Sequence, residues 1–310
     1  MRYCTLFFLS LLAVFVPAAD NFKTRHVFIV VMDGARWSET WGDAGGRNIP
    51  HLDKELAPQG VLLTQFSNRG VTTTNPGHTA ISTGFYQDID NSGLELPRFP
   101  SLFQYLRRQQ GVSDNEAWVI ASKDKLVVLS DTSAQDWRGN FRPAFDCGGD
   151  GRGGGGYRDD AVTFARTQAT IKNHKPIAML VNFRGPDSYG HANDRAGYLA
   201  AIAEVDGYIS VLWQTIQAEA RLKDCTTLFV TNDHGRHLDQ IQDGFVSHGC
   251  DCAGCRHLMC LAVGPDFKRG VRSDTPRHLP DITATAARLL GVAMPTGTGT
   301  VMTEIFAHLP

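Results

Sequence analysis

His26-Val-Phe-Ile-Val-Val-Met-Asp33-Gly34 decides the fold, because six consecutive apolar residues run straight into an acid and a glycine. A short unbroken run of this kind reads as a strand buried on both faces, as in the interior of a parallel sheet. The same grammar recurs at residues 177–183 (IAMLVNF), 227–231 (TLFVT) and His257–Val263 (HLMCLAV), with Ala117–Ala121 (AWVIA) as a fifth strand. Between them lie helical periodicities, the clearest placing Leu199, Ile202, Val205, Ile209, Leu212 and Ile216 at steps of three and four. Residues 101–109 and 157–173 are further helix candidates, and 281–290 read as a closing helix ended by Gly291. This alternation predicts an α/β protein: a single domain built on a mainly parallel β-sheet with helices on both faces.

A chain of 310 residues with 42% hydrophobic content can form one such domain, and no internal repeat or second-domain boundary interrupts it. Thirty Lys and Arg stand against thirty-two Asp and Glu, so the charge balance predicts no nucleic-acid-binding surface. Any anion recognition must be local. Residues 1–19 have the form of a signal peptide: Arg2, an apolar run from Leu6 to Val16, then Pro17-Ala18-Ala19 for cleavage. The apolar run is shorter than the ~20 residues of a spanning helix. We expect an exported protein, periplasmic or extracellular, with residues 20–310 as its domain and no membrane anchor after cleavage. Six cysteines then remain: Cys147, Cys225, Cys250, Cys252, Cys255 and Cys260. An even count in an exported chain points to disulfides, while the four between 250 and 260 leave a small zinc knot as the lesser alternative. The glycine-rich stretch 148–156 (GGDGRGGGG) reads as a flexible loop.

Three strands lead into an acid: Asp33 after VFIVVM, Asp187 after LVNFRGP and Asp233 after LFVTN. In open α/β sheets the carboxyl ends of strands form the ligand crevice, so the three carboxylates should converge. Unpaired, they would repel one another, and a cation resolves the repulsion. Histidines accompany two of them, in Asp187-Ser-Tyr-Gly-His191 and Asp233-His234; mixed Asp and His ligation favours zinc, with manganese possible. Taken singly, each pair is explained as well by a turn or a helix cap. The segment Thr74-Asn75-Pro76-Gly77-His78 precedes an amphipathic stretch and places a hydroxyl at a helix N-terminus, where anions are stabilised. On its own this is a capping threonine.

Together these residues resemble the alkaline phosphatase superfamily, and within it the nucleotide pyrophosphatase/phosphodiesterase (type I phosphodiesterase) branch. The resemblance is carried by Asp33-Gly34, Thr74-Asn75-Pro76-Gly77-His78 with Thr83-Gly84, Asp187-Ser-Tyr-Gly-His191, Asp233-His234-Gly235, and His248-Gly249 ahead of a strand ending in Gly264-Pro265. It implies an alkaline phosphatase-like fold with two divalent metal ions, one held by Asp33, Thr74, Asp233 and His234, the other by Asp187, His191 and His248. His248 is preferred over His237 and His257 because the resemblance places a His-Gly pair shortly before that strand. His78 is expected to orient the nucleophile. Asn91 corresponds to an asparagine that donates to a phosphate oxygen, although a turn-forming asparagine explains it equally well. Two departures stand out: Asn75 where an aromatic is usual, and Gly77 in place of an asparagine.

The chemistry that follows is a two-metal hydrolysis of a small phosphate ester or nucleotide. Metal coordination turns the weak Thr74 hydroxyl into a nucleophile, and two metals about 3.5–4 Å apart stabilise attacking and leaving oxygens. Two divalent ions against three aspartates leave one net positive charge for a substrate anion. Sulfatases share the fold but need a Cys or Ser at the nucleophile position. A cofactor-independent phosphoglycerate mutase needs a large insertion between nucleophile and Asp-x-x-x-His, absent here. Phosphodiester or nucleotide pyrophosphate cleavage through a phosphothreonine is the leading reading. A phosphomonoesterase, or a non-catalytic metal- or anion-binding protein on the same fold, is the alternative. Lys123 and Arg184 are basic residues that could reach a bound anion.

Overall fold

The computed structural model describes residues 22–309, so the leader expected over residues 1–19 lies outside the described residues. Nine strands form one sheet: β1 (His26–Met32), β2 (Gly60–Ser67), β3 (Ala117–Ala121), β4 (Ala144–Cys147), β5 (Ala178–Phe183), β6 (Thr226–Thr231), β7 (His257–Val263), β8 (Val271–Ser273) and β9 (Arg277–His278). The helices are α1 (Thr74–Thr83), α2 (Leu102–Gln110), α3 (Asp160–His174), α4 (Gly185–His191), α5 (Arg195–Ala218), α6 (Ala253–Arg256) and α7 (Leu279–Leu290). Among the described residues no helix is long and apolar enough to cross a membrane.

Across the sheet the order is β4-β3-β5-β1-β6-β7-β2-β8, with β9 also on β2. From β4 to β6 every pairing is parallel. Strand β7 runs antiparallel between β6 and β2. Strands β2 and β4 carry no unbroken branched run: the former breaks at Thr64-Gln65, and the latter is four residues containing Asp146. Their place in the sheet comes from pairing rather than from local pattern.

The alternation of side chains along β1 explains the two-layered core. Val27, Ile29 and Val31 pack on one face with Ile81 of α1, Leu102 and Leu106 of α2, and Ile282 of α7. Phe28, Val30 and Met32 pack on the other with Ile171 of α3 and Ile202, Val205 and Ile209 of α5. Because successive strand residues point to opposite faces, an apolar run with no alternation demands helices on both sides. Helix α7 stops at Gly291, whose φ of 65° supplies the left-handed cap.

Two expectations change. All six cysteines among the described residues are free. Cys147 and Cys260 pack within the apolar core instead of pairing. The glycine-rich stretch is a fixed turn: Gly148 N donates to Ala121 O at 3.0 Å, Gly149 N to Gly156 O at 2.9 Å and Gly153 N to Cys147 O at 3.0 Å. Gly148 has φ of +74°, and a Cβ there would lie 2.3 Å from that of Asp124. Glycine is required by conformation and close approach, which composition alone does not distinguish from flexibility.

Candidate active site

Topology brings the site together. Strands β5, β1 and β6 are adjacent and parallel, pairing Met32 with Phe183 and Val31 with Thr231, so their carboxyl ends are level. Asp33 follows β1 directly, Asp233 lies two residues past β6, and Asp187 sits in α4, four residues past β5. Because β7 runs the opposite way, the segment before it, carrying His248, arrives at this same edge. Strand β2, antiparallel to β7, also ends here and feeds the segment that starts α1 with Thr74. Neighbouring strands are about 4.8 Å apart, so residues distant in sequence become contacts.

Every residue of α1 is buried. Gly77 explains how its first turn approaches β6: a Cβ there would lie 2.6 Å from the carbonyl oxygen of Asp233. The departure from the phosphodiesterase motif at this position therefore has a packing cause.

Asp33, Asp233 and His234 present one ligand atom each within 4.8 Å of one another, as do Asp187, His234 and His248. His234 Nδ1 donates to Gly235 O at 2.8 Å, which leaves Nε2 as a lone-pair donor. That atom lies 3.5 Å from Asp33 Oδ1 and 3.4 Å from Asp233 Oδ2. All three atoms are buried without a hydrogen-bond partner. Buried polar atoms are normally satisfied, so three orphaned ligand atoms facing one point fit a divalent cation. Burial, outweighing the nearby Asp233, lowers the His234 pKa to about 3, so the imidazole is neutral as ligation requires.

His248 Nδ1 donates to Thr72 O at 3.0 Å, turning Nε2 towards Asp187 Oδ1 at 3.4 Å and His191 Nε2 at 3.1 Å. His191, half-exposed, also lies 3.3 Å from Asp187 Oδ1. Of the rival histidines, His257 stacks on Trp37 and contacts Thr64 O, and His237 faces Cys250. His78 is buried beneath Thr74: Nδ1 donates to Thr74 O at 2.9 Å, and Asn182 donates to its Nε2 at 3.1 Å. Asn91 Oδ1 accepts from Asn75 N and from Lys125 Nζ, both at 2.9 Å, which leaves its Nδ2 as the donor for a ligand.

Three contributors were not singled out from sequence, or only in passing. Lys123, two residues past β3, is fully buried and reaches Asp187 Oδ2 at 2.6 Å, Asp33 Oδ2 at 2.9 Å and Thr74 Oγ1 at 3.0 Å. Burial opposes its charge, yet Asp187, Asp33 and Asp233 outweigh burial and raise its pKa above the usual lysine value. Burial would raise the Asp187 pKa, but Lys123, with His191 and His248, holds it well below the carboxylate range. Arg236, also buried, pairs with Asp187 Oδ1. Asn182 donates to Asp33 Oδ2 at 2.8 Å. A rule that strand ends carry chemistry, applied to cations as well as acids, would have found Lys123 and Arg236. Arg184 is instead committed to Arg158 O, Ser188 and Asp159.

The sulfatase family model matches residues 25–292. The chain belongs to the sulfatase family. This family lies within the alkaline phosphatase superfamily of hydrolases, whose members use divalent metal ions. A curated phosphopentomutase of Herpetosiphon aurantiacus is 29% identical over 117 residues, covering 38% of this chain but only 26% of the mutase. Among solved structures, a phosphonate monoester hydrolase from Silicibacter pomeroyi is similar with 15% identity and a TM-score of 0.64, covering 90% of this chain and 76% of that one. Murine ectonucleotide pyrophosphatase/phosphodiesterase 5 gives 15% and 0.65, covering 91% and 100%. The PsFucS1 sulfatase from Pseudoalteromonas sp. gives 18% and 0.60, covering 87% and 68%. At these identities the likeness shows the alkaline phosphatase-like fold alone.

Proposed function

We propose that this sulfatase-family chain is an exported, metal-dependent phosphoric ester hydrolase that cleaves phosphodiesters or nucleotide pyrophosphate bonds through a phosphothreonine at Thr74. One observation carries the reading: the Thr74 hydroxyl heads a buried helix, 3.0 Å from the Lys123 ammonium, beside the orphaned ligand atoms of Asp33, Asp233 and His234. Asp33, Thr74, Asp233 and His234 would hold one divalent ion, and Asp187, His191 and His248 the other. Zinc or manganese bound there would supply Lewis-acid stabilisation of the negative charge on the phosphoryl oxygens.

The chain's own groups do the rest. Lys123 favours the ionised form of Thr74 Oγ1, whose proton passes to solvent; the oxyanion attacks phosphorus, the P–O ester bond breaks, and the leaving oxygen takes a proton from water as it departs with its alcohol or nucleotide. The head of α1 and the Nδ2 of Asn91 stabilise the phosphoryl oxygens. Water then hydrolyses the phosphothreonine and regenerates Thr74.

Sulfatase chemistry is disfavoured by Thr74 itself. Formylglycine is an aldehyde made from a primary carbon, and the threonine hydroxyl sits on a secondary one. The nucleotide leaning rests on the motif around Thr74 and is supported by the similar murine phosphodiesterase, an inactive form of which is known in complex with AMP. The test is turnover of p-nitrophenyl phosphate, bis-p-nitrophenyl phosphate and p-nitrophenyl thymidine monophosphate by the purified protein and by Thr74→Ala. We expect the diesters to be preferred, with the variant keeping its metal and losing turnover. Hydrolysis of the monoester alone would replace this reading with a phosphomonoesterase, and a variant as active as the parent would remove Thr74 as nucleophile. Metal uptake without turnover of any ester would make the chain a binding protein.

A further inference from the structure

Outside the catalytic cluster, one constellation of soft ligands has no role in the chemistry above. His237, Cys250, Cys252 and Cys255 each direct a donor atom to a common point, all four atoms lying within 4.8 Å of one another. Three come from the short run Cys250-Asp-Cys252-Ala-Gly-Cys255, and the fourth from a histidine thirteen residues upstream. We infer that these four side chains form a structural zinc site, separate from the catalytic metals, that fixes the two loops carrying His234 and His248.

The donor set is that of a closed Cys3His centre. Zinc–sulfur bonds of about 2.3 Å and a zinc–nitrogen bond of about 2.0 Å imply edges of about 3.8 Å between sulfurs and about 3.6 Å between sulfur and nitrogen. Cys250 Sγ and Cys255 Sγ are 3.8 Å apart. His237 Nδ1 stands 2.9 Å from Cys250 Sγ and 3.3 Å from Cys255 Sγ, both shorter than that edge, so the two loops would open a little around the ion. Supporting contacts are present. His237 turns its other nitrogen towards Asp243 Oδ1 at 3.8 Å, and Cys252 N donates to Cys250 Sγ at 3.3 Å. A disulfide would use two of the thiols and leave a third thiol and a buried imidazole facing the bond. Four convergent donors account for the full set, and three thiolates with one imidazole select zinc over harder cations.

The location gives the site its purpose. His237 lies three residues beyond His234, and Cys250 two residues beyond His248. The two loops are already laced by Gly235 N to Cys255 O at 2.9 Å, Arg236 N to Gly254 O at 3.1 Å and His237 N to Ser247 O at 3.0 Å. Gly235 is needed for that approach, since a Cβ there would meet Gly254 O at 1.9 Å. Zinc would tie both ends of the intervening loop to one centre, holding two catalytic imidazoles in register without touching substrate.

Cobalt substitution tests the site, because the catalytic cluster contains no sulfur. The full chain loaded with Co(II) should show thiolate-to-cobalt charge-transfer absorption in the near ultraviolet, retained in Asp233→Asn and weakened in Cys252→Ser, which keeps two of the three thiolates. Thiol titration of the zinc protein should find these three cysteines protected until a chelator is added. Cobalt uptake with no charge-transfer band, or peptide mapping of the natively purified protein that finds a disulfide among Cys250, Cys252 and Cys255, overturns the inference. These readouts do not depend on the substrate assay, so they stand or fall apart from the proposed activity.

Discussion

The Lys123 ammonium lies 2.6 Å from Asp187 Oδ2, and the opposite oxygen of the same carboxylate is taken by Arg236. Asp187 is thus gripped from both sides by buried cations, on two different strand ends. Three aspartates against these two cations leave the cluster with one net negative charge, before any metal is counted. A divalent ion at Asp33, Asp233 and His234 would reverse that excess and leave the site positive for an anion.

Lys123→Met should separate the two roles of the lysine. Losing a buried donor aimed at the reacting oxygen is worth about 100-fold in kcat, with KM moving less. The same change leaves Asp187 and Asp33 without their ammonium, and metal-free protein should lose about 3 kcal/mol of stability. Saturating metal should narrow that loss, because the cation supplies the missing charge. Steady-state kinetics and thermal unfolding with and without metal measure both effects. An unchanged kcat would remove Lys123 from the reaction.

Much of this was legible in the sequence because it depends on short-range rules. The buried strands announced themselves by unbroken branched runs, and three acids at strand ends were visible as such in Asp33, Asp187 and Asp233. What stayed hidden depends on pairing. The strand Gly60–Ser67 carries polar residues that only its neighbours make tolerable, and His257–Val263 reads the same whether it runs parallel or antiparallel. Lys123 looked like any basic residue after a strand until β3 was placed beside β5. The crowding of four cysteines between 250 and 260 is visible in sequence as a lesser zinc alternative to disulfides, but His237 reads there only as a rival to His248, because nothing local to it points at the cysteines.

His248 and His191 both approach Asp187, but they are held differently. The His248 side chain is 7% exposed and anchored through Nδ1 to Thr72 O, whereas that of His191 is 47% exposed. His248→Ala should therefore weaken metal binding more than His191→Ala, and each by more than the roughly 10- to 100-fold that loss of an outer supporting group costs. Metal titration followed by activity measures the two constants. Equal losses would mean that exposure does not grade the two ligands.

Glu39 gives a pH-dependent stability that is independent of catalysis. Burial alone would raise its pKa, but Arg36, at 2.8 and 2.6 Å, and Arg195, at 2.9 Å, lower it below the ordinary 4.5. A depressed carboxyl stabilises the fold fully above pH 4.5 and loses that contribution as pH falls through the lower native value. Glu39→Gln should cost about 3 kcal/mol at neutral pH, since two arginines are left partly unpaired. It should also flatten the acid limb of the stability curve. Denaturant unfolding at several pH values checks both, and parallel curves for parent and variant would assign the acid limb to other groups.

Gly77 ties the head of α1, with Thr74, to Asp233 by backbone proximity. An added Cβ would sit 2.6 Å from Asp233 O and 2.9 Å from Asp233 Cβ, closer than real contacts allow. The carbonyl it meets is held by Asn68 Nδ2 at 2.9 Å, so the obstacle is fixed on its far side too. Gly77→Ala must therefore push the head of α1, with Thr74, away from Asp233 and His234. Overpacking of this kind costs about 1–3 kcal/mol, and misplacing a reacting group by an ångström costs about 100-fold in rate. The expected result is a folded protein with metal content near that of the parent and kcat reduced by about two orders of magnitude. Parent-like kcat in a folded Gly77→Ala would show that Thr74 does not need this spacing to Asp233.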